Sequence, residues 1–300
     1  MFDIPVDAQW SQKEIIFTGG DDYNDITSKL SLSYGLFIND DDQTMVTTDY
    51  DNNRIIQWNM NNTNGQVVAG GNGEGNRLDQ LNGPTDVLID KETDSLIISD
   101  SKNRRVVKWS RHDGMLQGEI LIDNIPCHGL AMDDYRYLYV SDVRQHEVRR
   151  YQLESDMKNG IIVAGGNGHG SDLNQLDFPI YIFVDRQQTI YVSDWNNHRV
   201  MKWNKDAKEG IAIAGGQGVG NDLTQLSNPS GLVVDASGTL YVADLGNNRI
   251  VCWPKGAEQG TVVAGADVEL KWPIGMPFDH HGNYYIVDSA NARVLRFSIQ

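Results

Sequence analysis

The 300-residue chain is predicted to be all-β, a six-bladed β-propeller of four-stranded antiparallel blades closed by an N-terminal outer strand completing the C-terminal blade. Three observations predict it. A phrase of the form (Val/Ile)-x-Asp, four variable residues, then Arg-(Val/Ile)-x-x-Trp recurs along the chain, and a chain that repeats itself is read first as an array. Its anchors, Asp49, Asp100, Asp142, Asp194, Asp244 and Asp288, stand 51, 42, 52, 50 and 44 residues apart, close to the period of a four-stranded blade. Only three residues follow Phe297, too few for a last outer strand. The N-terminal segment EIIFTGG, residues 14–20, matches the segments GQVVAGG, GIIVAGG and GIAIAGG that end other copies. Without it the last blade would expose an unpaired edge.

Residues 228–265 show how one copy makes one blade. The almost wholly apolar run 231–235 suits an inner strand buried on both faces. Ala236-Ser237-Gly238 signals a turn, after which residues 239–243 alternate with the period of a strand. Leu245-Gly246-Asn247-Asn248 turns the chain again, and strands follow at 249–253 and 261–264. Such a sheet cannot bury both faces alone, so blades stack around an axis. The Trp, Tyr or Phe nine residues after each aspartate is expected between neighbours.

The repeat leaves no room for a boundary, so residues 1–300 are expected to form a single domain. No apolar run is long enough to span a membrane, and residues 1–10 lack the basic start and apolar core of a secretory signal. Cys127 and Cys252 fall in different copies, which suits small packing residues better than a disulfide or a metal site. A net charge of −16 disfavours nucleic acids and anionic membranes; Arg149 and Arg150 beside Arg144 form the only dense basic group. A monomer is expected, with no cofactor and no metal. The localisation is not encoded in this chain.

The phrase Pro-x-Gly-Leu-x-Val-Asp, then Leu-Tyr-Val-x-Asp, then Asn-x-Arg-(Ile/Val) resembles the NHL-repeat family of six-bladed propellers. The resemblance implies the fold. It implies no one activity, since that family includes interaction domains, RNA-binding domains and lyases. The related amidating lyases carry metal-binding His just after the proline of the inner strand. Here the corresponding stretches are Pro84-Thr85-Asp86, Pro126-Cys127-His128, Pro179-Ile180-Tyr181, Pro229-Ser230-Gly231 and Pro273-Ile274-Gly275, so only His128 fits. A zinc centre wants three protein ligands around an open position. His280 and His281 follow Asp279 in a turn at the other end of the strand. Calcium-dependent lactonases need axial Glu and Asn, and the inner strands contain no Glu.

Other polar motifs have structural readings. The anchoring aspartate and the arginine five residues later occur together in five of six copies, which suits a repeated pin more than a catalytic pair; the third copy has Glu147 instead. The loops GGNGEG (70–75), GGNGHG (165–170) and GGQGVG (215–220) lack the strand-to-helix junction of a nucleotide fingerprint. The cluster Asp40-Asp41-Asp42 reads as a solvated turn. The run from Asp49 fails as an EF-hand, with Arg54 and Met60 where Gly and Glu are required. Asn61-Asn62-Thr63 is a glycosylation sequon.

Alternation of strands puts the turns after the aspartates and the blade-to-blade links on one face, which is the expected binding surface. Tyr50, Ser101, Val143, Trp195, Leu245 and Ser289 vary there. Links 19–33, 70–84, 165–179 and 215–229 are long, whereas 122–126 and 265–273 are short. This predicts a groove between two raised walls. Cys127, His128, Trp272, Ile274 and Met276 would lie near its ends, and Tyr181 and Trp195 in its wall or floor. The expected function is non-enzymatic binding of a protein, peptide or glycan through Tyr50, His128, Tyr181, Trp195, Trp272 and Met276, with no catalytic residues. The alternative is a metal-dependent hydrolase, lactonase or lyase at the channel mouth.

Overall fold

A computed structural model describes residues 30–60, 65–111, 117–153, 160–265 and 268–298, and the backbone of 15–19. The sequon Asn61-Asn62-Thr63 lies outside the described residues. The strand β1 (Ile15–Gly19) is followed by five four-stranded antiparallel sheets. The first comprises β2 (Leu36–Asn39), β3 (Thr44–Asp49), β4 (Arg54–Asn59) and β5 (Gly65–Gly70); the second, β6 (Pro84–Asp90), β7 (Ser95–Asp100), β8 (Arg105–Ser110) and β9 (Glu119–Ile122). The third holds β10 (Cys127–Met132), β11 (Tyr137–Asp142), β12 (Glu147–Gln152) and β13 (Ile161–Gly165); the fourth, β14 (Pro179–Val184), β15 (Ile190–Asp194), β16 (Arg199–Trp203) and β17 (Ile211–Gly215). The fifth holds β18 (Pro229–Val234), β19 (Leu240–Asp244), β20 (Arg249–Trp253) and β21 (Thr261–Ala264). Each is a meander, with neighbours in sequence adjacent in space.

The described residues thus contain five four-stranded blades, not six. The sixth sheet is three-stranded, in the order β1, β23 (Arg293–Phe297), β22 (Tyr284–Asp288). The expected pairing of the N-terminal strand with the last copy is present, with Ile15 opposite Arg296 and Gly19 opposite Arg293. What is missing is a regular inner strand. Residues 273–278 run beside β22 without forming a regular ladder, joined to it by isolated bridges, Pro273 with Asp288 and Phe278 with Tyr284, and by backbone hydrogen bonds of Ile274 and Gly275 with Val287 and of Pro277 with Tyr285. Pro273 and Pro277 stand within five residues of each other, and a proline has no N–H to give a ladder.

Packing explains the aromatic of the repeat. Trp58, Trp109, Tyr151, Trp203, Trp253 and Phe297 are all buried. Each sits in a hydrophobic cluster shared with the neighbouring sheet: Trp109 with Val46 and Ile55 of the first, Trp203 with Tyr139 and Val148 of the third. Trp58 packs with Tyr285 and Val294, so the first sheet meets the sixth and the ring closes. Truncating one of these rings to Ala removes contacts worth about 3–5 kcal/mol. A second set of ties reaches the inner strand of the next sheet, from the inner strand or, for Ser141, from β11. Thr85 Oγ1 donates to the His128 carbonyl at 2.9 Å, Ser141 Oγ to Ile180 at 3.2 Å and Ser230 Oγ to Pro273 at 2.9 Å. Cys127 and Cys252 are free thiols, and Cys127 is buried. Among the described residues no helix is long and apolar enough to cross a membrane.

Candidate functional site

The turns after the aspartates and the links share one face, here the link face. The Asp–Arg pair is part of a clamp on this face. In the second sheet Arg105 Nε donates to Asp100 Oδ2 at 2.7 Å, while its other nitrogens reach the carbonyls of Asn76, Arg77 and Gln80 in the preceding link. Asn103 adds hydrogen bonds to Asp100 and to the Gly75 carbonyl, both 2.8 Å. The fourth sheet repeats this with Asp194, Asn197 and Arg199 on Gly170, Ser171, Asp172 and Gln175, and the fifth with Asp244, Asn247 and Arg249 on Gly220, Asn221, Asp222 and Gln225. Burial raises the carboxyls of Asp49, Asp100 and Asp194 above their ordinary value, with the clamp's donors acting in the opposite direction. The clamp secures backbone. It leaves no free group for chemistry.

The third sheet departs in both clamp positions, with Gln145 and Glu147 where others have Asn and Arg. Its preceding link, 122–126, is too short to present carbonyls to an arginine. Buried Glu147 instead pairs with Arg149, and Asp142 accepts from the backbone N–H groups of Arg144 and Gln145. Arg150 lies over the Tyr137 ring, 4.7 Å from its centroid, so two of the three arginines of the basic group are engaged in local contacts.

Three of the four long links do not rise as walls, and residues 20–29 of the fourth lie outside the described residues. Gly118, Gly210 and Gly260, at the far ends of β9, β17 and β21, donate their N–H groups to the carbonyls of Leu78, Leu173 and Leu223 in the middle of three links. Leu81, Leu176 and Leu226 of the same links are wholly buried between sheets. These links descend the side of the disc and seal the seam between blades. The groove with two raised walls is corrected accordingly.

Around the axis the inner strands contribute two tiers. Pairing of Pro84, Cys127, Pro179, Pro229 and Pro273 with their aspartates fixes the register. His128 therefore stands level with Thr85, Ile180, Ser230 and Ile274, one position above the tier of Asp86, Gly129, Tyr181, Gly231 and Gly275. Matching the copies by proline alone places His128 in the lower tier. Pro126 stands one position before the strand and Cys127 takes the place that proline has in the other copies, which puts His128 in the upper tier. Gly129 and Gly231 abut the Ile180 and Ile274 carbonyls of the next inner strand, where a Cβ would clash.

Four of the six site residues expected from sequence gather at the mouth of this channel. Tyr34 lies 5.0 Å from Tyr50 and 5.8 Å from His128, ring centre to ring centre, and His128 is 5.6 Å from Tyr181. Tyr181 packs with Ile180 and Ile274, and Trp195, Val143 and Leu245 of the variable turns rest against them. Lys102 Nζ stands 4.6 Å from the centre of the Tyr50 ring. Burial lowers His128 to about 4, opposed only by the Ile180 backbone, so the imidazole is neutral at pH 7. Its Nδ1 and the Tyr181 hydroxyl are buried without hydrogen-bond partners. Tyr34, absent from the expected set, was signalled only by its place before the first inner strand.

Trp272 and Met276 stand apart. Trp272 is 52% exposed, held at φ +53° by an N–H to Asn248 Oδ1 at 2.9 Å, and joins none of these ring contacts. Met276 is buried with Phe278 and Tyr241 at the interface with the fifth sheet, below the link face. From Pro273 the chain runs about 3.3 Å per residue down the channel, which carries Met276 away from that face. Cys127 is buried with its thiol 3.3 Å from the Arg105 carbonyl, and lines no groove. Among the described residues no group of three or more His, Cys, Asp and Glu is placed to hold a metal ion.

The NHL repeat model matches residues 226–253, which hold the fifth sheet's first three strands. A 133-residue stretch, 44% of the chain, is 27% identical to the uncharacterized protein MG281 of Mycoplasma genitalium and spans only 22% of that protein's length. An auxiliary nutrient binding protein from Bacteroides thetaiotaomicron is similar over 95% of this chain and 76% of its own, at 14% identity and TM-score 0.73. A catalytically inactive virginiamycin B lyase from Staphylococcus aureus, solved with quinupristin, is similar over 96% and 99%, at 10% identity and TM-score 0.61. At such identities these likenesses show the propeller fold alone.

Proposed function

We propose that this propeller is a non-enzymatic binding domain that recognises a protein, peptide or glycan on its link face. The observation that carries this reading is the convergence of Tyr34, Tyr50, His128 and Tyr181 at the channel mouth, with Trp195 packed beside them. Flat rings offer large contact area at small entropic cost and stack on sugar faces or proline-rich backbone. Tyr34, Tyr50, His128 and Trp195 are each partly exposed, so a ligand can reach them. Trp272 serves as an outlying contact at the rim. The three-stranded sheet, with residues 273–278 alongside, acts in this reading as the sixth blade that completes the ring.

The test is a screen of peptide and glycan arrays with the intact chain, repeated with Trp195→Ala and Tyr50→Ala. Both turn residues lie outside the strands, so each variant is expected to keep its melting temperature and lose at least tenfold in affinity. Unchanged affinity in both would refute the site. A stoichiometric metal found by elemental analysis would instead favour the metal-dependent alternative.

A further inference from the structure

The channel has a second end. On the side away from the links lies a cavity of about 350 Å³ running up the axis between the inner strands. Its wall is apolar, built from Leu36, Leu130, Ile182, Leu232, Met276 and Phe278. Its upper end holds two polar groups that stand where other copies have glycine: Asp86 on β6 and Tyr181 on β14. Tyr181 is 8% exposed, and its buried hydroxyl has no hydrogen-bond partner. The Asp86 carboxylate accepts the N–H groups of Val87 and Leu130, at 2.9 and 2.8 Å, and no Lys, Arg or His pairs with it among the described residues. The tier of Tyr34, His128, Ile180 and Ile274 separates it from the link face. At the open end stand Asp40 and Lys91, whose ammonium is engaged by Asp41 at 2.6 Å.

A carboxylate without a cation and an orphan hydroxyl in one tier, at the end of an apolar shaft, are complementary to one kind of small molecule. We propose that this axial cavity binds a primary ammonium compound with a compact apolar body, its ammonium between Asp86 and Tyr181 and its body against the leucines. A structural role alone accounts for part of Asp86, since its hydrogen bond to Leu130 ties the second inner strand to the third. It does not account for the hydroxyl of Tyr181 or for the space below it. The site shares Tyr181 with the aromatic mouth but opens at the other end of the channel.

Charge linkage gives the proposal a signature. Burial raises Asp86 to about 7. The titratable groups around it are Tyr181, Tyr34 and His128 from the neighbouring inner strands, with Asp40, Lys91 and His280 at the open end. An ammonium ligand requires the ionised carboxylate, so affinity should increase from pH 6 to pH 8. A carboxylic acid ligand would show the opposite trend.

The experiment is isothermal titration calorimetry of the full chain with hexylammonium, 1-hexanol and hexanoate at pH 6 and 8. Hexylammonium is expected to bind at least tenfold more tightly than hexanol, to tighten at pH 8, and to lose at least tenfold in Asp86→Asn. Leu232→Phe, which narrows the shaft and leaves both polar groups intact, should abolish binding and serves if Asp86→Asn does not fold. Equal affinity for amine and alcohol, no saturable amine binding, or undiminished binding in Leu232→Phe would overturn the proposal.

Discussion

The links entering the third and fourth sheets differ in one respect that reorganises everything near them. The link 165–179 is long, and Asp194, Asn197 and Arg199 hold its carbonyls while it covers the seam between blades. The link 122–126 is short. The third sheet has neither the asparagine nor the arginine, and Glu147 turns to Arg149 instead. The repeated polar residues therefore track the backbone that must be satisfied and not a ligand. Where no link descends, the arginine has nothing to hold, and the position is released to another residue.

The comparison is broken or sharpened first by Arg199→Ala. That change leaves Asp194 buried without its cation and takes the arginine's donors from three link carbonyls, of which Asp172 alone keeps another, the Gln175 N–H, and should cost about 3–5 kcal/mol in urea denaturation. Glu147→Gln, which keeps shape and gives up a pair that is partly exposed on the arginine side, should cost about 1 kcal/mol. Equal losses would show that the clamp is no more than an ordinary ion pair.

A smaller effect is the pH dependence of the Arg199→Ala deficit. Burial already raises the Asp194 carboxyl, and Arg199 is among the groups that oppose this. Without the arginine the folded pKa rises further. The folded state then keeps a proton that the unfolded chain gives up near pH 4. The stability deficit should be least below about pH 4 and grow as pH increases through the shifted value. A deficit independent of pH would mean that Asp194 finds another partner.

The frame of this fold was legible from residue spacing because each blade reuses the same chemistry. The strands at Arg249–Trp253 and Thr261–Ala264 coincide with the sequence reading, and the aromatics nine residues after each aspartate are between sheets as expected. What sequence missed depends on single-residue register and on chain path. Pro126 stands one position earlier than the prolines of the other copies, which raises His128 one tier, a shift invisible when copies are matched by proline. Pro277 interrupts the last inner strand, though its position alone could have warned of this. The path of the long links depends on hydrogen bonds to residues in other strands, for which local spacing has no signal. Asp86 and Tyr181 did have one: both replace a glycine of the repeat.

Amide hydrogen exchange of residues 165–179 in wild-type protein and in Arg199→Ala tests the central claim, that the repeated Asp–Asn–Arg set exists to fasten the links. In the wild type the amides of Gly170, Gln175 and Gly210 are hydrogen-bonded through this link and should be protected. In Arg199→Ala their protection should decrease by at least tenfold while the amides of β15 and β16 keep theirs. Unchanged protection of the link in that variant would contradict the account.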